Sequence, residues 1–153
     1  MKLALNLAAA LLVFALVAAA LLYTQQRRLI FPAPAQYLQA APGFRLVHTR
    51  TDDGLRLSAF YRPALPGQKA LLFFHGNGDN MLGAIEATRG PAAAGYGLML
   101  VEYRGYGGNP GSPGEAGFYR DGAAAMRWLP GTGVEARTIA VVGNSIGSGP
   151  ATE

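Results

Sequence analysis

The chain has 153 residues, half of them hydrophobic, a formal charge of +4 and no cysteine. Without cysteine it can carry neither a disulfide scaffold nor a thiolate metal site, and either redox compartment suits it. Apart from the pair Arg27-Arg28 the positive charge is scattered as single residues, so there is no basic stripe for nucleic acid and none is expected as a partner.

Leu3 to Tyr23 is an uncharged apolar run of 21 residues. As a helix it is long enough to cross a hydrocarbon layer of roughly 30 Å. Two readings compete. Lys2 ahead of the run and Ala18-Ala19-Ala20 near its end fit a cleaved secretory signal. The length of the run, and its continuation through Leu21 and Leu22 to Gln25, Gln26, Arg27 and Arg28, fit an uncleaved single-pass membrane anchor better. Residues 1–26 are therefore assigned to a transmembrane anchor. Lys2 and the terminal amine nearly balance the arginine pair, so sidedness stays open. Residues 27–43 read as a linker, because the prolines in Phe31-Pro32-Ala33-Pro34 and Ala41-Pro42-Gly43 lack a donor and disfavour helix in the preceding residue.

Residues 44–153 form the folded domain. Phe44 to Thr49 and Leu55 to Tyr61 alternate in polarity around Asp52-Asp53-Gly54, which predicts an antiparallel hairpin with Asp-Gly at its turn. Three short apolar runs follow, Ala70 to Phe74, Leu98 to Val101 and Thr138 to Val142, each expected to be a strand buried on both faces. The segments between them are long enough for crossover helices. Over 80–94, Asn80 or Asp79 can cap, and Met81, Leu82, Ile85 and Thr88 keep helical spacing. Over 114–129, Phe118, Ala125, Met126 and Leu129 can face a sheet before Pro130-Gly131 ends the helix. Strands alternating with helices predict an α/β fold with a mostly parallel sheet behind the N-terminal hairpin.

Gly143-Asn144-Ser145-Ile146-Gly147 directly follows the third apolar strand. This Gly-x-Ser-x-Gly pattern fits a sharp strand-to-helix turn that projects a nucleophilic serine, where side chains at either glycine would collide and the serine must hold a strained backbone. The Ile146 backbone N–H, in the first turn of the helix, can stabilise an oxyanion. Upstream, His75-Gly76-Asn77-Gly78 leaves the tip of the first apolar strand, and the Asn77 backbone N–H is the candidate second oxyanion donor. His75 precedes Ser145, whereas hydrolases of this kind run serine, acid, histidine, so His75 is read as orienting the loop. His48 is read as an ordinary strand residue, and neither a metal nor a cofactor is expected.

Three motifs carry a resemblance to the α/β-hydrolase family, and more narrowly to its membrane-anchored, peptidase- and esterase-like serine hydrolases. They are His75-Gly76-Asn77, then Tyr103-Arg104-Gly105-Tyr106-Gly107 with Gly111-Ser112-Pro113, and Gly143 to Ala151. The likeness covers essentially all of Phe44 to Glu153. It implies Ser145 as nucleophile, Asn77 and Ile146 as oxyanion donors, and an acyl substrate with an ester, thioester or peptide bond. It also implies an acid and a histidine from loops well beyond the serine, and this sequence ends eight residues after Ser145. The expectation is the N-terminal portion of such a domain, inactive by itself, with the elbow strand left as an apolar edge. Glu102 stands where the family often has aspartate and Asn144 where a larger polar residue is common. Two rivals remain open. One is a membrane-tethered pseudo-hydrolase that only binds; the other is a nucleotide-binding short-chain oxidoreductase, whose glycine-rich turn would normally follow the first strand.

Overall fold

The computed structural model describes residues 1–34, 39 and 41–153, so residues 35–38 and 40 of the expected linker lie outside the described residues. The chain divides into two compact units, Met1–Phe31 and Pro32–Glu153.

The first unit is one helix, α1 (Lys2–Ile30), with a mean hydropathy of 2.6 in its most apolar stretch and no buried residue. At 1.5 Å per residue it is about 44 Å long. It runs past residue 26, where the linker was expected to begin, and includes Arg27 and Arg28. Nothing from Gln25 to Ile30 breaks a helix; Pro32 first does, by restricting Phe31. Cationic side chains in the last turn also suit the negative end of the helix. By length and composition the helix can cross a membrane, and a signal sequence answers to the same description.

The second unit is built on a five-stranded mixed sheet of β1 (Arg45–Arg50), β2 (Arg56–Arg62), β3 (Ala70–Phe74), β4 (Gly97–Val101) and β5 (Ile139–Gly143), in the order β1-β2-β4-β3-β5. β1 and β2 form the expected antiparallel hairpin, with Arg50 opposite Arg56 and Gly54 at φ +90° in the connection. β2 pairs antiparallel with β4, and β3 lies between β4 and β5, parallel to both. β3 and β4 are buried throughout because helices cover both their faces. Leu71, Phe73, Leu98 and Leu100 join Phe60, Met81 and Ala84 in one core cluster. On the other face Phe74 stacks on Tyr103, which packs on Phe118. Burying each such side chain contributes about 1.5–3 kcal/mol.

The helix expected over 80–94 is divided into α2 (Met81–Ala87) and α3 (Arg89–Ala93). Pro91 has no N–H for the Ala87 carbonyl, and the Thr88 hydroxyl turns back to the Ala84 carbonyl at 2.7 Å. Asn80 is the cap, its side-chain oxygen accepting from the N–H groups of Leu82 and Gly83. Of the residues expected to face inward here, Met81 and Thr88 are buried, Ile85 is half-buried and Leu82 is exposed. In α4 (Glu115–Trp128) the inner stripe is Phe118, Asp121, Gly122 and Ala125, and Leu129 is buried just beyond; Met126, expected on this stripe, is exposed. β5 departs from the two-sided burial its composition suggested. It is an edge of the described sheet, with Val141 and Val142 37% and 40% exposed.

Candidate active site

Parallel pairing fixes where the loops emerge. Phe74 lies opposite both Val101 and Gly143, so β3, β4 and β5 end side by side and the segments that follow leave from one end of the sheet. Those segments are His75-Gly76-Asn77, Glu102 to Asn109, and Asn144-Ser145. Placement of ligand loops at the carboxyl ends of parallel strands is the general habit of such sheets.

The turn after β5 is held by steric closeness. Ser145 has φ +52° and is, among the described residues, the one non-glycine with positive φ. That conformation costs about 1–3 kcal/mol and persists only where the surroundings impose it. A Cβ on Gly143 would lie 2.3 Å from the Gly147 carbonyl oxygen, and one on Gly147 would lie 2.4 Å from the Phe74 carbonyl oxygen. Both obstacles are backbone, so neither can swing aside. The Asn144 N–H donates to the Phe74 carbonyl and the Gly147 N–H to the Asn144 carbonyl, each at 2.9 Å. Ser145 is exposed and opens a 3-10 turn, Ser145–Gly147, that runs into α5 (Ser148–Thr152). Ile146 sits in this first turn, where N–H groups lack intrahelical acceptors.

The loop after β3 lies against that turn. A Cβ on Gly76 would come within 3.2 Å of Asn144 Nδ2 and 3.5 Å of Ser145 Cβ. The residues singled out from the sequence, Ser145, Ile146 and the loop that carries Asn77, are thus neighbours. Beneath them His75 is fully buried, with Nε2 2.8 Å from Glu102 Oε1 and Nδ1 2.9 Å from the Gly76 carbonyl oxygen. A carbonyl can only accept, so Nδ1 is the donor there. The Gly76 carbonyl and the Asn77 N–H belong to one trans peptide and point in opposite directions, so holding the first aims the second. The Asp79 N–H also donates to the Gly76 carbonyl at 3.3 Å, and the Tyr103 hydroxyl donates to the His75 carbonyl at 2.8 Å. Glu102 Oε2 accepts from the Met81 N–H at 3.1 Å, tying α2 to the same carboxyl. The Tyr106 hydroxyl donates to Asn77 Oδ1 at 2.8 Å.

Burial, reinforced by the Glu102 charge, pushes the Tyr106 hydroxyl up to about 12 and raises Tyr103 further. Both phenols are therefore donors at any physiological pH. A second polar network flanks this one. The Arg104 backbone N–H donates to Asp121 at 2.9 Å, and its guanidinium reaches Asp121 at 2.8 Å and Asp53 at 2.7 Å. Arg120 reaches Asp53 at 3.2 Å. Burial works against the Arg104 charge, but its hydrogen bonds to the two carboxylates outweigh it and hold the pKa above the ordinary value. Asp53 is held well below the usual carboxylate range, chiefly by its hydrogen bond from Arg104, whereas burial raises Asp121. On β1, His48 Nδ1 is buried without a hydrogen-bond partner, and burial with the Arg56 charge lowers its pKa, favouring neutral imidazole. Among the described residues no cluster of three or more His, Cys, Asp or Glu could hold a metal ion.

Sequence reasoning set Glu102 aside and did not single out Asp121. Each had a usable signal. Glu102 directly follows a wholly apolar strand, and Asp121 falls on the inner stripe of α4 with Phe118, Gly122 and Ala125, so each is a buried charge that must find a partner. A cavity of about 800 Å³ on the α4 side, lined in part by Phe74, Gly122, Met126, Val141 and Pro150, does not include Ser145.

No protein-family model matches the chain. An uncharacterized protein of Mycobacterium tuberculosis is 38% identical over 134 residues, covering 83% of this chain and 48% of that protein. Protein bem46 of Schizosaccharomyces pombe is 30% identical over 146 residues, covering 86% of this chain and 49% of that protein. The alpha/beta hydrolase domain-containing protein WAV2 of Arabidopsis thaliana is 31% identical over 64% of this chain and 33% of its own. In structure the chain is similar to the Pyrococcus furiosus esterase Pf2001, with a TM-score of 0.60 at 21% identity over 77% of this chain and 50% of that one. It is similar also to an alpha-beta hydrolase from Vibrio vulnificus, with a TM-score of 0.57 at 25% identity over 65% of this chain and 35% of that one. The chain has the α/β-hydrolase fold. It spans about half the length of the curated relatives it matches first. The N-terminal apolar helix is compatible with a membrane anchor or a signal sequence.

Proposed function

We propose that this α/β-hydrolase chain belongs to a serine hydrolase that cleaves an ester, thioester or peptide bond through an acyl-enzyme on Ser145. The observation that carries the reading is the backbone of Ser145, a strained φ of +52° imposed on an exposed hydroxyl by two glycines that admit no side chain. Strain of this kind is retained where a nucleophile must be presented. In the reaction the Ser145 oxygen attacks the acyl carbonyl as its proton passes to a general base. The tetrahedral oxyanion is received by the N–H groups of Asn77 and Ile146, each contributing about 3 kcal/mol to lowering the barrier. Collapse expels the leaving group, which takes the proton from the base, and water then releases the acid and restores the hydroxyl. The base is neither His75, whose two ring nitrogens are engaged, nor His48 on β1. The order serine, acid, histidine places it C-terminal to Ser145. Residues 1–153 by themselves are expected to turn over little or no substrate.

The test uses the protein translated from the complete reading frame. A fluorophosphonate should phosphonylate Ser145 with loss of fluoride, and p-nitrophenyl acyl esters should be hydrolysed. Ser145→Ala should abolish labelling and lower kcat/KM by roughly 10⁴-fold or more. Labelling that survives Ser145→Ala would sink the serine assignment, and a folded protein that binds acyl ligands but is never labelled would establish a binding module. We further propose that α1 tethers the protein to a bilayer. Alkaline carbonate should leave the full-length chain with the membranes, and recovery of soluble protein lacking the helix would show a cleaved signal instead.

A further inference from the structure

The loop after β4 reaches the Asn77 side chain through the Tyr106 hydroxyl, and the geometry around that contact is closely constrained. The Tyr106 ring is fully buried and packs edge-on against Tyr103 and Phe118 and at a tilt on His75. Its own N–H donates to the Tyr103 carbonyl at 3.1 Å, closing a tight turn, and Gly105 and Gly107 on either side adopt positive φ. On the far side of that turn Arg104 is clamped to Asp53 and Asp121. The ring therefore cannot rotate or retreat without moving the whole loop. Its hydroxyl reaches Asn77, an exposed residue.

We propose that Tyr106 is a positioning residue for the reaction, holding the Asn77 side chain so that the Gly76–Asn77 peptide keeps its N–H on the oxyanion. This rests on the serine-hydrolase reading above and deepens it. Asn77 sits between Gly76 and Gly78, and Gly78 has φ +73°, so its immediate neighbours restrain it little. His75 and the Asp79 N–H fix the peptide from its carbonyl end. Tyr106 fixes it from the side-chain end. With hydrogen bonds at both ends the peptide cannot flip, and a donor that is already aimed costs no reorganisation as charge develops. The hydroxyl is protonated across the working range, pushed up to about 12 by burial and by Glu102, so the bond runs from Tyr106 to Asn77 whenever the enzyme works.

Tyr106→Phe tests this in the complete protein, since it keeps the ring and removes only the donor. The expected result is a kcat lowered about tenfold, with KM within roughly twofold and the melting temperature nearly unchanged. A role confined to stability would move the melting temperature and leave kcat of the folded enzyme intact, and that result would overturn the proposal. Asn77→Ala, at an exposed side chain, removes the acceptor and should lower kcat at least as much. The double variant should be no slower than the slower single one, because both remove the same contact. Effects that multiply in the double variant would overturn the proposal even if Tyr106→Phe lowered stability. Loss of activity in Ser145→Ala together with an unaltered kcat in Tyr106→Phe and Asn77→Ala would refute the positioning role alone. Activity that survives Ser145→Ala would refute both readings.

Discussion

Around Ser145 the chain is fixed by side chains that are missing. Gly143 and Gly147 let backbone pack on backbone at distances no Cβ could tolerate, and the serine is left in a conformation it would not adopt alone. Around Asn77 the chain is fixed by side chains that are large, polar and buried: His75, Glu102, Tyr103 and Tyr106 hold the loop through a set of hydrogen bonds. The two segments face each other across Gly76, and the proposed serine chemistry needs both. One mode stores strain in a few residues; the other spreads the constraint over four side chains from the two segments that follow β3 and β4. They should fail differently when broken.

The sharpest break is Gly147→Val. Its Cβ would meet the carbonyl oxygens of Phe74 and His75 at 2.4 and 2.8 Å, and only movement of β3 relative to the turn could relieve that. The expected cost exceeds about 4 kcal/mol, enough to unfold a marginal domain, and urea unfolding would measure it. A loss below about 1 kcal/mol would mean that close backbone approach is not what holds the turn. Next in size is Glu102→Ala, which leaves His75 Nε2 and the Met81 N–H without their partner in the interior. Breaking a buried pair from one side costs about 3–5 kcal/mol. Glu102→Asp keeps the charge at slightly longer reach and should recover much of that loss. Equal stability of the alanine and aspartate variants would show that the carboxyl does not hold the loop.

The same contrast decides what could be read from the sequence. The turn at Ser145 is a local affair, written in Gly143 to Gly147 and the apolar strand before it, so its conformation could be expected from five consecutive residues. The loop's supports come from Glu102, Tyr103 and Tyr106, some 27 to 29 residues from the atoms they bind. No spacing rule links those positions until β3 and β4 are known to pair in parallel register. The fold itself was legible because apolar runs and the polar segments between them differ so plainly in composition. The division of the first crossover at Thr88 was not, because it depends on Pro91 removing one donor rather than on the pattern of apolar residues. The exposure of β5 was not legible in its own residues, which read as those of a strand covered on both faces.

The smallest effect separates the two carboxylates on Arg104, which respond to acid in opposite senses. Asp53 has a folded pKa well below its unfolded value of about 3.9, owing first to its hydrogen bond from Arg104 and then to that from Thr51. Its contribution is complete above about pH 4 and is lost as pH falls from there through the folded pKa. Asp121 is raised by burial, so the folded state binds its proton more tightly than the unfolded one. Its effect lies above about pH 4, where stability increases as the pH falls through the raised folded pKa. The windows do not coincide. Urea midpoints followed through the acid range should therefore show Asp53→Asn flattening the profile below about pH 4 and Asp121→Asn flattening the opposite slope above it. If both variants changed the same window, Asp53 and Asp121 would be titrating as one coupled group on Arg104, and the clamp behind Tyr106 would be a single unit rather than two independent bonds.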